Sequence, residues 1–158
     1  MMIRLSPGGG SGIGFGLTIA FAKEGADLVI TGRTESKLIK AKEKLEKEYG
    51  VKVLAITADG GKEEDVRNVI DKTIKEYGRI DVVINNAQAS KSGVLLADHT
   101  KEDFDLAIYS GLYSTFYYMR EALPFLKESR GSIINFASGA GLFGKPGQSS
   151  YAAAKEGI

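Results

Sequence analysis

The sequence has no cysteine, a single histidine and three prolines among 158 residues. Without cysteine it can form neither a disulfide nor a thiolate, which suits a reducing compartment. The one histidine, His99, lies in a polar stretch ahead of a helical pattern. It reads as an exposed loop residue, which leaves no base for a Ser-His-Asp hydrolase. Excess charge of one sign is also missing: 21 basic side chains face 20 acidic ones, for a net charge of +1. Attraction to nucleic acid or to an acidic membrane therefore has no electrostatic basis. No apolar run approaches the roughly 20 residues of a membrane span. The first residues lack the charged and apolar regions of a signal peptide. No repeat, linker or low-complexity segment interrupts the chain. A cytoplasmic protein is the expectation.

What the sequence does contain is glycine, concentrated in Pro7-Gly8-Gly9-Gly10-Ser11-Gly12-Ile13-Gly14. This stretch follows a short apolar run and opens a helical pattern through Leu17, Ile19, Ala20 and Phe21. A strand that turns through glycines into a helix exposes backbone N–H groups at the positive end of the helix dipole, which suits a phosphate. The glycines allow the close turn and the close approach of a pyrophosphate.

Apolar runs and helical patterns then alternate. Leu28-Val29-Ile30 reads as a buried strand. Between Thr34 and Tyr49 one face carries Leu38, Ala41, Leu45 and Tyr49, while lysines and glutamates form a solvated surface. Residues 51–57 make a third strand. Val66, Val69, Ile70, Ile74 and Tyr77 line a helix ended by Gly78. Residues 80–84 make a fourth strand. Thr100 is placed as an N-cap, followed by helix to about Glu128 with Pro124 as its kink. Residues 132–137 are a fifth strand, and a last helix starts at Ser149. Strands separated by helices of this length predict right-handed βαβ units and a parallel sheet. The polar clusters at 8–14, 32–33, 59–61, 85–88 and 138–141 each follow a strand. They are expected to meet in one crevice beyond the carboxyl ends.

The ordered set Gly8-x-x-x-Gly12-x-Gly14, Asp59, Asn85-Asn86-Ala87, Ser138 and Tyr151-x-x-x-Lys155 resembles the short-chain dehydrogenase/reductase family. The 13-residue Ser138–Tyr151 interval is part of the likeness. It covers nearly the whole chain. It implies an α/β fold, a Rossmann-like doubly wound parallel sheet of about five strands in the order 3-2-1-4-5. Residues 1–158 would form one partial dinucleotide-binding domain that stops short of the family's last two strands. A homo-oligomer, tetramer or dimer, is implied for the full-length form.

The residues support the chemistry independently. Tyr151 and Lys155 are one helical turn apart and share a face. A phenol ordinarily ionises near pH 10, too high for general acid/base work at neutral pH, and a nearby ammonium favours the phenolate. A serine hydroxyl can donate to a carbonyl oxygen as that oxygen gains charge. The resemblance assigns Tyr151 as proton donor or acceptor, Ser138 as substrate holder, and Lys155 as tuner of the phenol and ligand of the nicotinamide ribose. For the cofactor it implies Gly8, Ser11, Gly12, Ile13, Gly14, Asp59, Gly60, Asn85 and Ala87. Where an aspartate would select NAD, this chain has Arg33, whose guanidinium fork suits the 2′-phosphate of NADP. NADP is therefore expected over NAD, with a small carbonyl or alcohol as substrate.

Four features depart from the family pattern. Arg4 and Pro7 are foreign to a central strand, which suggests that residues 1–7 come from a shifted start. Gln88 replaces a glycine and would project near the cofactor or substrate. Gly111 stands in place of an asparagine that, in the family, helps hold a water linking the lysine to solvent; glycine would leave a gap for another water and impair the relay. The chain also ends inside the helix carrying Tyr151. A dinucleotide-binding module without catalysis is thus the alternative. A third reading, a P-loop at Gly139–Lys145, fails because Pro146 offers no hydroxyl for magnesium.

Overall fold

The computed structural model describes residues 2–158. Five parallel strands form one sheet in the order β3-β2-β1-β4-β5. They are β1 (Ile3–Pro7), β2 (Asp27–Gly32), β3 (Val53–Thr57), β4 (Val82–Asn85) and β5 (Ser132–Asn135). The connecting helices are α1 (Gly12–Lys23), α2 (Glu35–Tyr49), α3 (Glu63–Tyr77), α4 (Lys101–Ala107), α5 (Ser114–Ser129), α6 (Gly139–Phe143) and α7 (Ser149–Glu156). This is the doubly wound Rossmann-like order expected from the motifs.

Alternation along the strands sorts the core into two layers. Leu28 and Ile30 pack with Leu38, Leu45 and Val53 on one side, joined by Phe15 and Ile19. Val29 points the other way, into Ile3, Leu5, Ile56, Val66, Val69, Val83, Tyr118 and Leu126. A parallel sheet covered on both faces needs this continuous apolar sequence. Each such side chain contributes roughly 1.5–3 kcal/mol when buried. The predicted inner faces of α2 and α3 are buried, and α3 ends at Gly78 in the left-handed region (φ 71). Thr100 caps α4 by accepting a hydrogen bond from the Asp103 N–H at 3.1 Å.

One expectation needs correction. The helix from Thr100 does not kink at Pro124, which sits exposed inside a continuous α5. The discontinuity is earlier, where Ile108–Tyr113 form a wider π turn between α4 and α5. Exposure lets water serve the carbonyl that the proline leaves unpaired, so the ring is tolerated.

The atypical first residues make the central strand. Pro7 stands opposite Thr31, and the ladder passes to the next residue, where the Gly8 N–H donates to the Thr31 carbonyl at 2.9 Å. Arg4 is buried opposite Val82, with its guanidinium 5.0 Å from the centre of the Phe21 ring. Its Nε and Nη1 have no partner among the described residues.

Candidate active site

The turn after β1 and the start of α1 build the first wall. Gly8 has φ 76, and a Cβ there would stand 3.2 Å from Ala87 Cα after β4. Gly14 packs directly on the Gly8 carbonyl, where a side chain would collide with it and with Asn86. Glycine is therefore required for β1, α1 and the segment after β4 to close together. The result is a cleft of about 240 Å³. Gly8, Ser11, Arg33, Asp59, Gly60 and Ala87 line it. The Asp59 carboxylate accepts from the Gly61 N–H at 3.0 Å, fixing the turn after β3.

Four of the five predicted polar clusters meet here. Ile13 faces solvent, Gly12 is exposed, and Gly14 is buried behind the wall. Asn85 is also buried and acts across the sheet, donating through Nδ2 to Asn135 Oδ1 at 2.9 Å. Gly12, Ile13, Gly14 and Asn85 thus stand behind or beside the cleft rather than in its lining.

The fifth cluster borders a separate hollow. Ser138, Phe136, Leu142 and Lys155 line it. Ser138 is the N-cap of α6, its hydroxyl accepting from the Ala140 N–H at 3.2 Å. Lys155 is buried on α7 and donates to the Phe136 carbonyl just beyond β5. Its Nζ lies 5.9 Å from the centre of the Tyr151 ring. Burial pushes the Lys155 ammonium below its ordinary range. One helical turn of spacing has thus placed a desolvated amine over the Tyr151 ring, and Ser138 lines the same hollow as Lys155.

His99 corrects the sequence reading. It is half-buried, with Nε2 2.8 Å from the hydroxyl of Ser150, the residue before Tyr151. The segment after β4 is held to the start of α7 at a second point, where the Gly93 N–H donates to the Gly147 carbonyl at 2.8 Å. These are long-range pairings between polar loops, which periodicity cannot show.

The gap expected at Gly111 is filled. Gln88 lines the cleft yet turns its carboxamide back over Gly111, donating through Nε2 to the carbonyls of Ala89 (3.0 Å) and Ala107 (3.1 Å). Sequence reasoning passed over Lys37, Thr34 and Ser110, all in the cleft lining. Lys37 had a legible signal, since it is four residues after Arg33 at the start of a helix. Ser110 had none; it accepts from the Ala89 N–H at 2.8 Å across 21 residues of sequence.

A parallel sheet with a glycine-walled cleft at its carboxyl edge has the layout of a nucleotide-binding α/β protein. The chain belongs to the short chain dehydrogenase family, whose sequence profile matches residues 5–158. The 12alpha-hydroxysteroid dehydrogenase of a Clostridium species is 60% identical over 162 residues, covering 99% of this chain and 62% of that protein. The alcohol dehydrogenase of the archaeon Thermococcus sibiricus, solved in complex with 5-hydroxy-NADP, matches with a TM-score of 0.95 at 26% identity, covering 99% of this chain and 66% of that one. NAD+-bound xylitol dehydrogenase matches with a TM-score of 0.94 at 25% identity, covering 99% and 60%. The chain thus spans less than two thirds of the length of the proteins it resembles.

Proposed function

We propose that this chain carries the cofactor cleft and catalytic residues of an NADP(H)-dependent oxidoreductase that interconverts a secondary alcohol and a ketone. The observation behind it is the buried Lys155 amine against the Tyr151 ring, beside the Ser138 segment. The residues of the cleft fit a dinucleotide. Its wall at Gly8 is bare backbone held at positive φ, which lets a pyrophosphate approach, and Ser11 at the N-terminus of α1 lines it. Arg33 and Lys37 put two cations at the end where a 2′-phosphate would lie, which favours NADP over NAD.

When bound, the nicotinamide supplies or accepts the hydride. Tyr151 donates the proton to the carbonyl oxygen, or removes it from the alcohol in the other direction. Lys155 would stabilise the phenolate and would hold the ribose hydroxyls of the bound cofactor. Ser138 hydrogen-bonds the substrate oxygen as charge develops on it. A steroid ketone is the first substrate to test, given the named activity of the 60% identical relative. Tyr109, Tyr113 and Phe116 are exposed in a row along the π turn and α5 and would seat a second copy of the chain.

The test is NADPH oxidation with a panel of steroid and smaller ketones, alongside fluorescence titration of NADPH. Tyr151→Phe is expected to lower kcat by roughly 10²–10⁴ while NADPH binding is kept. Arg33→Ala is expected to weaken NADPH on the order of tenfold and to leave NADH unchanged. Binding without turnover by the unaltered protein would favour a cofactor-binding module instead.

A further inference from the structure

Gln88 and Gly111 are 23 residues apart in sequence and share one space. A Cβ on residue 111 would overlap Gln88 Oε1 and stand 2.7 Å from its Cδ and 2.9 Å from its Nε2. The carboxamide can lie there only because residue 111 has no side chain. Nε2 bonds the carbonyls of Ala89 and Ala107, so one side chain ties the segment after β4 to the turn that opens the π helix. A π turn displaces carbonyls from their usual partners, and Ala107 lies next to its first residue. The far side of the turn rests on the catalytic helix, where a Cβ on Gly157 would meet Leu112 Cδ1 at 3.0 Å, two residues beyond Lys155.

Space-filling alone does not account for this side chain. Gln88 Oε1 is buried and has no donor among the described residues. An unpaired buried acceptor is costly, and an apolar side chain of the same length would pack without that cost.

We propose that Gln88 is a positioning residue whose carboxamide takes the place of the side chain that position 111 lacks. From there it sets the π turn beneath α7, and hence the placement of Tyr151 and Lys155 against the cofactor cleft. The role in turnover rests on the oxidoreductase reading above, whereas the pairing does not. Gly111→Asn is the informative substitution, because it brings a second carboxamide into occupied space, while Gln88→Gly vacates it.

The experiment is a double-mutant cycle of Gln88→Gly and Gly111→Asn, read by thermal melting, NADPH titration and kcat against pH, with Gln88→Met as a separate variant. Gly111→Asn alone is expected to lower the melting temperature by about 5 °C and kcat on the order of tenfold. The double variant is expected to recover most of both. Gln88→Met fills the same volume without a polar group. It is expected to melt near the unaltered protein, to keep the KM for NADPH, and to lose kcat with a changed pH profile. Additive melting effects across the cycle, or a Gln88→Met variant with unchanged kcat and pH profile, would overturn the proposal. Coupled melting in a protein that binds NADPH but reduces no ketone would instead overturn the oxidoreductase reading and leave the pairing in place.

Discussion

Lys155 is a cation in a buried position, with a backbone carbonyl as its hydrogen-bond partner. Its pKa is depressed by burial from the ordinary 10.5. The folded protein therefore holds that proton less tightly than the unfolded chain does. The resulting destabilisation is complete at low pH and fades as pH rises toward 10.5. Lys155→Met is expected to abolish turnover yet raise stability at neutral pH by about 1 kcal/mol or more, and to lack the alkaline gain of the unaltered protein. Urea unfolding at several pH values measures both. Arg4 was legible as an anomaly from the sequence, since a charge is out of place in an apolar run. Gln88 was legible in the same way, as a departure, but the pairings that Gln88 and His99 make were not. Their partners, Gly111 and Ser150, are 23 and 51 residues distant, and their own neighbourhoods carry no periodic signal.

At the scale of elements, helices with strong apolar faces were read from the sequence almost to the residue. The expected face of α2 is the buried one, and Gly78 ends α3 as anticipated. The ends of the short strands shifted by up to two residues, because a buried parallel strand has no alternation to mark its ends. The π turn escaped notice because proline is the stronger local signal, while nothing in the pattern of residues 108–113 marks a wider turn. Pro124 is therefore a removable defect. Pro124→Ala is expected to stabilise the protein by about 1–3 kcal/mol, with NADPH affinity unchanged. Chemical denaturation and a fluorescence titration would show this; a loss of stability would mean that the ring packs usefully.

At the scale of the whole molecule, Asp81 joins the edge of β4 to the central strand. Its Oδ2 accepts from the Ile3 N–H at 2.8 Å, and Arg79 donates to the same carboxylate, with Nη2 at 2.6 Å from Oδ1. Burial pushes this carboxyl up, but the bonds from Arg79 and Ile3 and the charges of Arg79 and Arg4 outweigh it and hold the pKa below 3.8. The stabilisation is thus present above pH 3.8 and lost as pH falls through the depressed value. Asp81→Asn is expected to cost about 2–3 kcal/mol at neutral pH and to flatten the acid limb of the stability curve, as read by urea midpoints. The sheet order was legible because βαβ connections leave few choices and the motif order narrowed them further. The division of the polar clusters between a cleft and a second hollow was not, since it depends on how α6 and α7 turn back past β5.

Of the five strands, the one in the middle of the sheet comes first in sequence. β1 meets β2 early, but its other flank waits for β4, and the Ile3–Asp81 bond spans 78 residues. At ribosomal speeds this delay lasts roughly 4–16 s. During that time a nascent, half-zipped ribbon carries bare backbone along one side. Translation rate and holding chaperones therefore bear on the yield of this protein before its final stability does.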